Sequence, residues 1–162
     1  MFPPELREQA RAFIDECRRR QLTVATAESC SGGLLAGLLT EIPGASAVLQ
    51  MGFITYSNAS KRDLLGVDSQ LIEQFGAVSA ETAAAMAEGA LRRAKTNLSI
   101  AVTGIAGPDG GTAVKPVGRV HIAAAAEGRV TLQHICDFQG DRTGIRLASV
   151  ETALRLLQKQ LG

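Results

Sequence analysis

LTVATAESCSGGLLAGLLTEI, residues 22–42, is the stretch on which the fold turns. LTVATA is a short apolar run suited to a buried strand, and LLAGLLTEI carries apolar residues at helical spacing until Pro43 and Gly44 stop it. TAESCSGG (26–33) joins the two as a tight turn. Strand, turn and helix in that order form the building unit of an α/β domain.

The same alternation runs outward in both directions. Upstream, Pro3 and Pro4 precede a helical pattern that places Leu6, Ala10, Phe13, Ile14 and Cys17 on one face, with Arg18, Arg19 and Arg20 in its last turn as a solvated cationic end. Downstream, QMGFITYS (50–57) reads as a second strand and runs into NASKRDLLGV, a helical pattern that Gly66 ends. VDSQLIEQFG suggests a short helix capped by Asp68. SAETAAAMAEGALRRA begins between Ser79 and Thr82, and its alanine-rich face allows close packing on a sheet. NLSIAVTGIAG (97–107) is a third strand ending in the loop PDGGTAVKP. VGRVHIAAAA (117–126) and RVTLQHICDF (129–138) form a hairpin around Glu127 and Gly128, and RTGIRLASVETALRLLQKQL closes the chain as a helix.

The expected architecture is therefore one α/β domain of 162 residues, a three-layer α/β/α arrangement with a mixed, mostly parallel central sheet. Ligands in such sheets sit outside the carboxyl ends of the strands. The turns after Ala27, Tyr56 and Val102 all fall at predicted strand ends, which points to a single site.

Charge and composition narrow the partners. The 17 basic and 16 acidic residues leave a formal charge of +1, so no electrostatic argument favours nucleic acid or an anionic membrane. No apolar run approaches the roughly 18–20 residues that span a bilayer. MFPPELREQARAFIDECRRR mixes both charge signs and lacks the apolar centre of a signal peptide, so a cytoplasmic location is expected. Cys17, Cys30 and Cys136 are odd in number and widely spaced, giving neither a disulfide framework nor a zinc knuckle. No metal or cofactor is expected. Alanine-rich faces and glycine-rich edges suit a homo-oligomer.

Chemistry concentrates in four places. In TAESCSGG, three nucleophile candidates (Ser29, Cys30, Ser31) stand beside Glu28. Ser31 reads as a helix N-cap before Gly32 and Gly33, and the exposed N–H groups of such a turn can also hold an oxyanion or phosphate. Serine needs a neighbouring base. His121 and His134 lie inside predicted strands flanked by apolar residues, which disfavours a Ser-His-Asp triad and leaves lysine. TYSNASK offers Tyr56, Asn58 and Lys61; Lys61 is a base if desolvation lowers its pKa, and otherwise a solvated lysine behind a Ser57 or Asn58 cap. TGIAGPDGGT (103–112) is neither a P-loop nor a dinucleotide fingerprint, and reads as a backbone phosphate cradle or a plain long turn. In GDRTGIR (140–146), Arg142 and Arg146 share one helical face as an anion clamp or a solvated surface.

Together TAESCSGG, GFITYSNASKRDLLGV, GAVS, TGIAGPDGGT with KPVG, and QGDR resemble the CinA C-terminal domain family, in order and spacing from about Thr23 to Arg146. Its stand-alone members include nicotinamide mononucleotide deamidases. The resemblance implies an amidohydrolase that makes nicotinic acid mononucleotide and ammonia. It places the catalytic serine on Ser29, the lysine on Lys61 and the tyrosine on Tyr56, with Ser31, Gly32 and Gly33 as the oxyanion turn. Glu28, Asn58, Thr103, Gly104, Ala106, Gly107, Arg142 and Arg146 would then contact the substrate, the phosphate lying on the 103–107 loop and on Arg142 or Arg146. Ser31 departs from the threonine of many relatives. The long competence-associated members carry a further N-terminal domain, for which this chain is too short. The other function class is a nucleotide-binding or competence-associated interaction module without turnover; a thiol hydrolase using Cys30 is a third.

Overall fold

A proline at the first helical position fixes φ and withholds an N–H that has no partner there. Accordingly α1 (Pro4–Arg19) starts directly after Pro3 and buries Leu6, Ala10, Phe13, Ile14 and Cys17, the five residues its spacing predicts. The computed structural model describes residues 2–162. After α1 come β1 (Val24–Glu28), α2 (Leu34–Thr40), β2 (Leu49–Ile54), α3 (Asn58–Leu65), α4 (Ser69–Phe75) and α5 (Ala80–Ala94). The chain finishes with β3 (Leu98–Gly104), β4 (Arg119–Ala126), β5 (Leu132–Asp137) and α6 (Arg142–Leu161). The caps follow local chemistry. Ser57, Asp68, Ser79 and Asp141 each accept a backbone N–H at the start of a helix, and Gly66, in the left-handed region, ends α3.

The five strands form one sheet in the order β2-β1-β3-β4-β5. β1 pairs in parallel with β2 and β3, β4 lies antiparallel to β3, and β5 antiparallel to β4. Four strands thus run one way and only β4 opposes them, the mixed and mostly parallel sheet expected. Strand parity divides the core. Val24, Ile100, Val102, Val120 and Ile122 pack with α1, α2 and α6, where Phe13, Leu35, Leu38 and Leu154 are buried. Ala25, Ala27, Ala101, Ala123 and Ala125 face the opposite layer and meet Ala83, Met86, Ala87 and Ala90 of α5. Small residues on both sides let α5 approach closely enough for Ser99 Oγ to donate to the Ala87 carbonyl at 2.6 Å.

The same closeness sets the sign of one substitution. Helix propensity alone favours Gly89→Ala by about 1 kcal/mol. A Cβ at Gly89 would, however, lie 2.2 Å from the Leu65 carbonyl oxygen, backbone that cannot rotate away. α3 and α5 must separate, so urea unfolding is expected to show a loss of about 2 kcal/mol. A gain would mean that α3 yields freely.

Candidate active site

β1, β2 and β3 are parallel, so their carboxyl ends share one edge of the sheet, and there they enclose a cavity of about 270 Å3. Parity carries β1 into it. Thr26 and Glu28 point toward α2, whereas Ala25, Ala27 and then Ser29 fall on the α3/α5 side. The Ser29 N–H extends the ladder by donating to the Val102 carbonyl at 2.9 Å. Opposite stands Lys61, in the second turn of α3. Helical side chains lean toward their own N-terminus, and Ser57 and Ser60 fix that terminus with a reciprocal cap. The Lys61 chain therefore runs back toward the strand ends.

Lys61 Nζ donates to the Thr55 carbonyl at 2.8 Å and lies 3.1 Å from Ser29 Oγ. The lysine is only 1% exposed, and among the described residues no carboxylate lies within ion-pair distance of it. Burial pulls its pKa below the ordinary 10.5, with the nearby Cys30 thiol acting weakly the other way. A buried amine whose charge has no carboxylate partner is poised to exist neutral, which is what a base requires. Cys30 also lines the cavity, but burial pushes its thiol up to about 11, so it stays protonated near neutrality.

At the mouth Tyr56 is 61% exposed, and its hydroxyl accepts a hydrogen bond from Arg142 Nη2 at 3.1 Å. Asn58, Thr103, Gly104, Ala106 and Gly107 contribute to the walls. The Thr103 hydroxyl donates to the Ala77 carbonyl at 2.8 Å, which ties the approach to α5 against the end of β3.

The sequence profile of the CinA C-terminal domain matches residues 6–161. The chain belongs to that family. A CinA-like protein of Geotalea daltonii is 49% identical over 139 residues, 86% of this chain and 33% of the relative. One from Syntrophotalea carbinolica is 50% identical over 141 residues, 87% of this chain and 34% of the relative. The chain thus spans about a third of the length of these curated relatives. Among solved structures, the competence/damage inducible protein CihA from Agrobacterium tumefaciens superposes with a TM-score of 0.96 at 52% identity, covering 98% of this chain and 97% of the other. A CinA superfamily protein from Escherichia coli gives 0.92 at 33% identity, covering 99% and 94%. Within the CinA C-terminal domain family this chain therefore has the usual three-layer fold. No helix among the described residues is long and apolar enough to cross a membrane, and no group of three or more His, Cys, Asp or Glu among them could hold a metal ion.

Four expectations about the turn and its surroundings need correction. Glu28 does not face the cavity: it is 1% exposed, and its carboxylate accepts the N–H groups of Gly33, Leu35 and Ala36 at 2.8–3.1 Å. Ser31 is not the N-cap. Gly33, at φ +93°, occupies that position with no side-chain cap, because Glu28 reaches across the turn to do the capping. Gly32 and Gly33 are spent as oxyanion donors, since the Gly32 N–H goes to the Ser29 carbonyl and the Gly33 N–H to Glu28. The N–H groups of Cys30 and Ser31 face the Cys30 sulfur, among the described residues no oxygen takes them, and of these two residues Cys30 lines the cavity. Arg146 lies outside the cavity and donates to the Ser31 carbonyl at 2.9 Å, bracing the turn from behind.

Ile105 and Gly110, of the glycine-rich 103–112 loop, also line the cavity, as do Ala77 and Val78, to which the sequence assigned no individual role. The signal of Ala77 and Val78 is positional only: they precede the cap of α5 at Ser79. His121 is buried in β4 and His134 exposed in β5, and neither lines the cavity.

Proposed function

We propose that this domain is an amidohydrolase that converts nicotinamide mononucleotide to nicotinic acid mononucleotide and ammonia. The 3.1 Å approach of the buried Lys61 Nζ to Ser29 Oγ carries the reading, because a pure binding site needs no base against a serine. Neutral Lys61 takes the Ser29 proton as Oγ attacks the carboxamide carbon. The Cys30 N–H stabilises the oxyanion that forms. As the intermediate collapses the C–N bond breaks, and the Lys61 ammonium, assisted by Tyr56, protonates the nitrogen that leaves as ammonia. Water then attacks the ester on Ser29 while Lys61 accepts its proton, and that proton returns to Ser29 Oγ as the acid departs. Arg142, Asn58 and the 103–107 loop hold the phosphate and ribose at the mouth.

The test is ammonia release from nicotinamide mononucleotide, with the acid product identified by chromatography. One ammonia per acid formed supports the reading. Saturable nucleotide binding with no ammonia would make the domain a binding module.

The lowered Lys61 pKa also sets a pH dependence. The base acts when neutral, so kcat/KM rises with pH along an acid limb whose midpoint lies below 10.5. The contribution of Lys61 to stability moves the same way. Between its folded pKa and 10.5 the unfolded chain binds the proton that the folded chain has lost, so this contribution rises with pH, against the fall that the buried Cys17, Cys30 and Cys136 thiols impose above 9.0. Lys61→Met should remove this slope from pH-dependent urea unfolding. A slope unchanged in the variant would show that another group titrates.

A further inference from the structure

Arg142, the first residue of α6, spans the cavity mouth. Its Nη1 donates to the Gly107 carbonyl at 2.7 Å and its Nη2 to the Tyr56 hydroxyl at 3.1 Å. One guanidinium therefore ties the segment after β2 to the loop after β3. Both acceptors are neutral oxygens, and among the described residues no carboxylate lies within ion-pair distance of Arg142. Arg129 and Arg146 likewise donate to backbone carbonyls, but Arg142 alone of the three lines the cavity. A phosphate monoester offers a guanidinium two ionised oxygens in matching geometry, and such bonds are shorter and stronger than those to a phenol or a carbonyl. Tyr56, exposed and with no other hydrogen bond on its hydroxyl, has room to turn once that contact goes.

We propose that Arg142 is a phosphate-released latch on Tyr56. A phosphate group entering the mouth draws the guanidinium away from the Tyr56 hydroxyl and the Gly107 carbonyl, and the freed phenol swings toward the group that leaves. Arg142 is thus a positioning residue that makes turnover depend on the substrate's phosphate, favouring a nucleotide over its nucleoside. The consequence for turnover rests on the amidase reading; the exchange of partners does not.

The composition supplies a direct probe. Tyr56 is the one tyrosine and there is no tryptophan, so near-ultraviolet emission reports on Tyr56 alone. Inorganic phosphate titrated into the full chain, at ionic strength held constant with chloride, should change that emission saturably. Arg142→Ala should start at the phosphate-saturated signal of the wild type and show no response. Nicotinamide mononucleotide should produce the same change, and nicotinamide riboside should not, which separates the phosphate from the rest of the ligand. With the riboside as substrate, added phosphate should raise ammonia release about tenfold in the wild type and not in Arg142→Ala. An equal emission response in Arg142→Ala overturns the latch, as does a wild type whose emission ignores phosphate while ammonia is released from the nucleotide. Ammonia absent throughout, with the emission change intact, sinks the amidase reading and leaves the latch standing.

Discussion

Ser29→Ala and Lys61→Ala should each lower kcat for ammonia release about a thousandfold or more, and the double variant should lose no more than either alone. Non-additivity is the sharper part of this expectation. Nucleophile and base act as one unit: with no serine to deprotonate, the lysine has no proton to take, and an unactivated serine is a poor nucleophile. Independent contributions would multiply instead. Because alanine leaves a void at the fully buried Lys61, Lys61→Met is the better companion variant. It keeps the volume and removes an amine that burial already disfavours in its charged form. That gain is set against the loss of the Lys61 bond to the Thr55 carbonyl, so the melting temperature should fall less than in Lys61→Ala while activity disappears, an outcome that separates catalysis from folding. Cys30→Ala should stay within a few-fold of wild type, since a thiol held at about 11 is protonated at working pH. Full activity in Lys61→Met would remove lysine from the mechanism, and inactivity in Cys30→Ala would move the nucleophile to the thiol.

Periodicity made the element order legible, and glycine and proline marked its breaks. The apolar face of α1, the cap at Asp68, the start of α5 after Ser79, and the hairpin about Glu127 and Gly128 all lie where spacing puts them. Lys61 was legible only as a base or a solvated lysine, and the family resemblance chose between them; its course back to the strand ends follows from the lean of helical side chains toward their own N-terminus. The errors arose where sequence proximity was taken for spatial proximity. Glu28 and Ser29 are neighbours in the chain, but successive strand residues face opposite layers, so one enters α2 and the other the cavity. Arg142 and Arg146 share a helical face, yet a separation of four residues is a rise of about 6 Å. That distance carries Arg146 past the mouth and under the turn, where it meets the Ser31 carbonyl. Ala77 and Val78 carry no chemistry of their own, so only the assembled sheet could bring them to the site.

Glu28→Ala should cost about 3–5 kcal/mol of unfolding free energy, the largest loss expected from any single polar side chain here. Three backbone N–H groups at the start of α2 end on its carboxylate, and Gly33 provides no side-chain cap that could replace it. Each hydrogen bond to an ionised group contributes about 1.5–3 kcal/mol net, and buried donors left without an acceptor lose their hydration as well. The effect reaches the chemistry through geometry. Glu28 anchors one side of the 29–33 turn and Arg146 braces the other, so loss of the anchor lets Ser29 Oγ drift from Lys61 Nζ. kcat should fall with little change in KM, because the residues at the mouth are untouched. Glu28→Gln discriminates further. It keeps the shape and one acceptor oxygen but turns an NH2 group toward backbone donors, so it should lose most of the same stability. If Glu28→Gln unfolded in urea at the wild-type midpoint, the carboxylate would be a spacer, and some other group would have to satisfy the start of α2.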